Sequence, residues 1–63
     1  MCEYLKRFLN EQIKVVFIGG DILKATLLGV DSIGVVVSDL KNGRIVMIPF
    51  SSGVAFTVIK KDI

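Results

Sequence analysis

Apolar and polar residues alternate along most of the chain with a period of two, which is typical of β-strands. The pattern begins over residues 12–18, where Ile13, Val15 and Phe17 occupy alternating positions. It predicts four further strands, which span Ile22 to Val30, Ile33 to Ser38, Ile45 to Ile48 and Val54 to Ile59. The third of the five strands is apolar on both faces, so we expect it to be the most central one.

The beginning of the chain follows a helical period instead. Tyr4, Leu5, Phe8 and Leu9 fall on one face of a helix over residues 2–10. A helix of about two turns is not stable alone in water, so we expect this face to pack on the sheet. Residues 60–63 are expected to form a solvated tail, and residues 1–63 a single domain.

Four short segments predict how the strands are joined. Gly20, with the glycine before it, predicts a tight turn after the first strand. Asp31 lies where the second strand turns into the third, and its carboxylate is expected to accept backbone N–H bonds across that turn. Asn42 and Gly43 predict a hairpin with a type I′ turn, and Pro49 is expected to end the fourth strand because it lacks an N–H.

These elements together predict a mainly β fold. We expect a short N-terminal helix and a strongly bent, five-stranded antiparallel sheet that forms a small open barrel. Gly29 marks the expected bend in the second strand. The fourth and fifth strands are the expected open edges, and their apolar side chains would promote aggregation unless another chain covered them.

Composition adds a reason to expect more than one copy. A monomer of 63 residues buries only about 60% of its unfolded surface, yet 52% of this chain is hydrophobic and its mean hydropathy is +0.70. One cysteine and no histidine provide neither an internal disulfide nor a paired-cysteine zinc site. We therefore predict a homo-oligomer formed by edge-to-edge pairing, which closes into a ring if the pairing is head-to-tail.

The sequence argues against catalysis. There is no histidine, Cys2 has no base partner along the chain, and the six carboxylates are scattered over turns and the helix. We expect no catalytic residue, no bound metal and no cofactor. No apolar run approaches the roughly 18 residues of a membrane span, and the start of the chain lacks the order of a signal peptide. With its unpaired thiol, the chain is expected to be cytoplasmic, with no membrane contact.

One segment carries the pattern of a known motif. The turn glycine, the apolar and small positions, the aspartate and the strand beyond fall in order at Gly20, Leu23, Ala25, Leu27, Val30, Asp31, Ile33, Val35 and Val36. With the helix in front and two strands behind, the chain resembles the Sm-like (LSm) superfamily over nearly its whole length. The bacterial Hfq branch is the most similar part of that superfamily.

The resemblance implies a ring of six or seven copies that binds single-stranded RNA and acts in post-transcriptional regulation. Several RNA-binding positions of the family differ in this chain. Ser32 stands where Hfq has glutamine, Ile33 where a stacking aromatic follows, and Val35 where Sm proteins read uracil with asparagine. Residues 47–52 contain neither the tyrosine-lysine-histidine of Hfq nor the arginine-glycine of Sm proteins. We therefore expect weakened or altered RNA specificity.

The remaining candidates for RNA contact are cations, hydroxyls and one aromatic ring. Lys6 and Arg7 on the polar helix face, with Lys14, are candidates for a basic rim that a ring would repeat, although a solvated helix face is the simpler interpretation. The other candidates are Lys24 and Thr26 on the strand face opposite the helices, Ser32 after the aspartate, and Phe50 as a stacking ring or a barrel-corner plug. Two alternatives stay open: an Sm-like oligomer that serves as a structural or protein-interaction module without RNA, and an unrelated SH3-like barrel.

Overall fold

The computed structural model describes residues 2–59, so the predicted tail at 60–63 lies outside the described residues. The fold is mainly β. A short helix, α1 (Cys2–Lys6), precedes five strands: β1 (Gln12–Val16), β2 (Ile22–Val30), β3 (Gly34–Asp39), β4 (Ile45–Pro49) and β5 (Ala55–Val58). A single 3-10 turn over Phe50–Ser52 joins the last two strands.

The five strands form one antiparallel sheet in the order β4-β3-β2-β1-β5. The fourth and fifth strands are its two edges, as predicted. The central strand is β2, so the prediction that the third strand would be central is wrong: β3 is separated from the edge only by β4. Since β4 and β5 do not pair with each other, the sheet is not closed, and the predicted strong bending is not confirmed.

Among the residues whose burial is described, 4–59, seven apolar side chains form the buried core, and these come from the first four strands: Ile13, Val15, Ala25, Leu27, Val35, Val37 and Ile48. Leu5 and Phe8 from the N-terminal segment pack against this core, as predicted, whereas Tyr4 and Leu9 of the same predicted face are exposed. We call the core-facing side of the sheet the inner face and the opposite side the outer face.

The helix is shorter than predicted. It ends at Lys6, and the next residues form tight turns in which Phe8 N–H donates to the Leu5 carbonyl at 2.9 Å. Asn10 then adopts a left-handed conformation with a φ of 70°, which asparagine tolerates better than most residues and which ends helices. Its N–H donates to the Leu27 carbonyl at 2.7 Å. A bond to the sheet thus replaces a further helical bond.

The strand connections differ in detail from those predicted. The β3–β4 loop is closed by a bond from Asp39 N–H to the Arg44 carbonyl at 2.8 Å. Gly43 has a φ of 73°, whereas Asn42 has no positive φ, so the turn is not type I′. It is a four-residue loop that needs a left-handed residue only at its last position. Pro49 lies within β4, which an edge strand tolerates because one side of it needs no ladder bonds.

The expected irregularity near Gly29 is present. The pairing of β2 with β3 shifts register between Leu27 and Gly29, so that Leu28 and Gly29 together face Val36. Two residues opposite one is the definition of a β-bulge, which bends the strand locally. Leu28 is left 42% exposed as a result.

Candidate nucleic-acid interface

Two lysines meet on the outer face of the sheet. In the β1–β2 ladder Lys14 lies directly opposite Lys24, and Gln12 lies opposite Thr26. On its other side Lys14 faces Thr57 of β5. The outer face of these three strands therefore presents two cations with neutral hydrogen-bonding side chains on one side and the apolar pair Val16 and Ile22 on the other.

The phase of the ladder decides how close the two lysines are. Hydrogen-bonded and non-hydrogen-bonded pairs alternate along an antiparallel ladder. Phe17 N–H donates to the Asp21 carbonyl at 2.8 Å, and Leu27 N–H donates to the Glu11 carbonyl at 3.0 Å. Both bonds belong to odd-numbered residues of this segment, so the odd-numbered pairs are the hydrogen-bonded ones. Lys14 and Lys24 therefore form a non-hydrogen-bonded pair, in which Cα atoms are only about 4.5 Å apart.

The carboxylates near these strands are placed differently. By the alternation of each strand, the positions of three carboxylates belong to the inner face, like the core side chains: Glu11, Asp21 and Asp39. Among the described residues, neither Lys14 nor Lys24 forms an ion pair. Like charges directly opposite each other are unfavourable, so this pair repels unless an anion lies between the two ammonium groups.

The turn between β2 and β3 is organised by Asp31, as predicted. One carboxylate oxygen, Oδ1, accepts N–H bonds from Ile33 at 2.8 Å and from Gly34 at 3.0 Å. These two bonds hold the pKa of the Asp31 carboxyl below its ordinary value of 3.8, and the bond from Gly34 lowers it more than the bond from Ile33. Ser32 is exposed at the tip of this turn, where its hydroxyl can meet a ligand.

A cavity of about 220 Å³ adjoins this turn. Its lining is mostly apolar and includes Ile33, Val36, Met47 and Pro49, with Asp31 as the one charged residue. A carboxylate at this position repels phosphate groups. Ile33 is 71% exposed, yet an aliphatic side chain offers a base no π-face to stack on.

The predicted basic rim is divided in the structure. Lys6 and Arg7 are exposed at the end of α1. Their neighbours Leu5 and Phe8 pack against the core on the inner side, whereas Lys14 belongs to the outer face. The structure therefore brings Lys14 together with Lys24 and Thr26, and not with the two helix cations.

Phe50 is half-buried, packs against the core and makes an edge contact with Phe56, at 6.3 Å between ring centroids. This placement favours the plug that the sequence left open over the stacking ring. Gly20, predicted to organise the first turn, has a φ of 97°. A left-handed conformation of that kind requires glycine at this position.

Sequence reasoning placed Lys24 and Thr26 on the outer face but missed the residues of other strands that lie beside them. Gln12, Ser38 and Thr57 join the candidate residues on it, because Thr26 faces Gln12 on one side and Ser38 on the other. The alternation within each strand indicates which of its own residues share a face, but not which residues of the next strand lie beside them. The strand register was the missing information.

Within residues 2–59 no group of three or more histidine, cysteine, aspartate or glutamate side chains is placed to hold a metal ion. No helix in this part of the chain has the length and apolar character needed to cross a membrane. Comparison of the chain with protein-family models, curated proteins and solved structures finds no match. Any statement of function therefore depends on the fold and on the surfaces described above.

Proposed function

We propose that this chain is an Sm-like, Hfq-type subunit that assembles into a homo-oligomeric ring, a hexamer or heptamer, and binds single-stranded RNA in post-transcriptional regulation. The observation that carries the proposal is the strand order, which leaves β4 and β5 as two open edges of one sheet. Pairing β4 of one copy with β5 of the next is a heterologous contact. A heterologous contact generates a ring when its rotation closes.

The exposed side chains of β4 support this pairing. The bond between Asp39 and Arg44 sets the phase of the β3–β4 ladder, so the backbone groups of Ile45 and Met47 point away from the sheet. Both side chains lie on the outer face and are 69% and 73% exposed. In a monomer, these two large apolar side chains would be exposed to water and would add nothing to the stability of the fold.

The other edge has the opposite phase. Ile59 N–H donates to the Gln12 carbonyl at 3.0 Å, so the outward backbone groups of β5 belong to Phe56 and Val58, whose side chains pack against the core. Residues of an antiparallel hydrogen-bonded pair point to the same side. Antiparallel pairing of the two edges therefore sets Ile45 and Met47 of one copy beside the core residues of the next.

The short link between β4 and β5 supports a bent sheet, as expected of an Sm-like subunit. Pro49 and Ala55 lie on opposite edge strands, which in a flat sheet are about 19 Å apart at about 4.8 Å per strand. The register also places these residues near opposite ends of β2, so their separation in a flat sheet would be larger still. Only residues 50–54 join them, and three of these form the 3-10 turn. At about 2 Å per turn residue and about 3.6 Å per extended residue, the link reaches only about 17 Å.

For RNA, the proposal uses the outer face and the helix end. Lys14, Lys24 and Thr26 present charge and a hydroxyl on one surface, and Lys6 and Arg7 add exposed charge elsewhere. A ring repeats each cation in every subunit, so weak single contacts add up along one RNA strand. The specificity is weakened or altered, because the turn after Asp31 presents no aromatic side chain.

A second candidate function is an Sm-like oligomer that acts as a structural or protein-interaction module without RNA. The observation that favours it is the burial of Val35, which is 1% exposed and belongs to the core. That position reads uracil in Sm proteins, and here it offers no group to a base. The apolar cavity with its single carboxylate adds to this argument.

Assembly is tested by light scattering coupled to size-exclusion chromatography. We expect a mass of six or seven chains, and a monomer at micromolar concentration would refute the ring. Met47→Lys places a charge at the paired edge and is expected to dissociate the ring. Leu28→Lys is the matched control, because Leu28 is also an exposed apolar residue of the sheet but lies on the central strand.

RNA binding is tested with oligo-A and oligo-U at two salt concentrations. Affinity that falls as salt rises, with a slope of about −0.7 for each phosphate neutralised, supports the RNA-binding function. An intact ring without such affinity would leave the structural module instead. The double change Lys6→Gln with Arg7→Gln should remove the contribution of the helix end while the ring stays intact.

A further inference from the structure

The outer face contains one arrangement that the general proposal of RNA binding does not require. Lys14 and Lys24 face each other across the β1–β2 ladder in the pair type where side chains approach most closely. Basic residues placed only for solubility gain nothing from such close approach, since like charges in this geometry repel. The ladder therefore places two lysine side chains next to each other on one face, where a shared anion would relieve their repulsion.

The surroundings of the pair are free of negative charge on this face. Glu11, Asp21 and Asp39 alternate with the outer-face positions, and Asp39 Oδ1 already accepts the Lys41 N–H at 2.8 Å. The carboxylate of Asp31 lies at the other end of β2 and holds its own turn. An anion arriving at the outer face therefore meets two cations, although Asp39 lines one pocket together with Lys24.

Hydrogen-bonding groups lie on one side of the pair, whereas the next pair on its other side, Val16 and Ile22, is apolar. Thr57 flanks Lys14 on β5, while Gln12 and Thr26 form the next pair on the same face. The spacing between these two pairs is two residues, or about 6.8 Å. A tetrahedral oxyanion accepts several N–H and O–H bonds at once, and charge-assisted bonds of this kind are about twice as strong as neutral ones.

We propose that Lys14 and Lys24 form a phosphate-binding site on the outer face, in which one phosphate group bridges the two ammonium groups across the β1–β2 ladder, with Thr26 and Thr57 beside it. The phosphate is either a phosphodiester of a nucleic acid or a free phosphate ion. The inference rests on the proposed function only where the phosphate belongs to a nucleic acid. Binding at this site also stabilises the sheet, because the anion removes the repulsion between the two strands.

The test compares three proteins: the wild type, Lys14→Gln with Lys24→Gln, and Lys41→Gln with Arg44→Gln. The last is a control that removes the same charge from the exposed β3–β4 loop. Three probes are titrated at constant ionic strength, namely inorganic phosphate, an abasic phosphodiester oligomer and an RNA oligomer. Calorimetry measures binding, and thermal unfolding measures stabilisation relative to chloride.

The site predicts that phosphate and the abasic oligomer raise the melting temperature of the wild type and of the loop control. It also predicts that the Lys14 and Lys24 variant loses this response and binds about tenfold more weakly or worse. Equal responses in all three proteins would overturn the site, as would a variant whose circular dichroism is native and whose phosphate affinity is unchanged. The single change Lys24→Gln provides the same readout if the double variant does not fold.

The RNA arm separates this inference from the proposed function. A phosphate response without RNA binding supports the site, with free phosphate as its source, and refutes RNA binding. RNA affinity that is unchanged by Lys14→Gln with Lys24→Gln overturns the site and leaves RNA binding to Lys6 and Arg7. Loss of both responses in that variant supports the site with a phosphodiester as its ligand.

Discussion

Replacing Gly34 by alanine tests a close backbone approach between β3 and β4. Gly34 begins β3 and lies opposite Pro49 of β4. A Cβ atom built there would contact the Ile48 carbonyl oxygen, lie 2.7 Å from the Pro49 Cα and lie 2.9 Å from the Ile48 carbonyl carbon. All three atoms belong to the backbone of β4, so no side-chain rotation can relieve the overlap and the strand must move.

The expected cost follows from this geometry. Overpacking in a well-packed region costs about 1–3 kcal/mol, and displacing a paired strand also weakens the β3–β4 ladder. The smaller unfolded-state entropy of alanine returns only about 0.4–1 kcal/mol. We therefore expect a net loss of about 2 kcal/mol, which lowers the melting temperature by about 8–16 °C in a domain of this size. That is a large part of the stability of a 63-residue chain.

Gly29→Ala is the matched control within the same sheet. Its Cβ would meet only the Val36 Cβ, at 3.9 Å, and its φ is not positive. We expect this change to be neutral or to stabilise by up to about 1 kcal/mol. Thermal and urea unfolding of both variants at one fixed protein concentration gives the comparison, since assembly would make stability concentration-dependent. Equal stability of Gly34→Ala and Gly29→Ala would refute the argument from close approach.

Three other changes have effects of known sign. The Asp31 carboxyl has a lowered pKa in the folded state, so its contribution is present above the unfolded value of 3.8 and is lost as the pH falls through the folded value. In unfolding experiments against pH, Asp31→Asn should therefore flatten the acid-induced loss of stability. Gly43→Ala should cost about 1–2 kcal/mol because its φ is 73°, and urea unfolding should show a smaller loss for Gly43→Asn. Lys14→Gln with Lys24→Gln should raise stability by about 0.2–1 kcal/mol in chloride, and a melting temperature below that of the wild type would contradict the repulsion between the two lysines.

The local elements were largely predictable because they depend on short-range chemistry. The alternation of apolar residues identified all five strands, and β2 was predicted with its observed bounds, Ile22–Val30. The role of Asp31 followed from its position at a strand end, because a short carboxylate there can accept nearby backbone N–H bonds. Pro49 indicated an edge strand, although it lies inside β4 and does not end the strand before it.

Other features depended on contacts between distant residues. The helical pattern over residues 2–10 continues past Lys6, but Asn10 bonds to Leu27 of β2 and this tertiary bond ends the helix early. Asn-Gly predicted the right hairpin with the wrong turn, since the pairing of Ser38 with Ile45 leaves a longer loop. These are cases in which tertiary pairing outweighed a local preference.

The candidate site shows what the sequence alone could not predict. Alternation placed Lys24 and Thr26 on one face, but the loop after Phe17 set the register that brings Lys14 opposite Lys24. A shift of one residue between two strands moves every side chain to a different neighbour. The sequence by itself determined the strands, the places where the chain turns, the edges and the sign of the charges. Only the tertiary structure decided which charges meet, because strand register is set by loop geometry and by pairing between residues far apart in the chain.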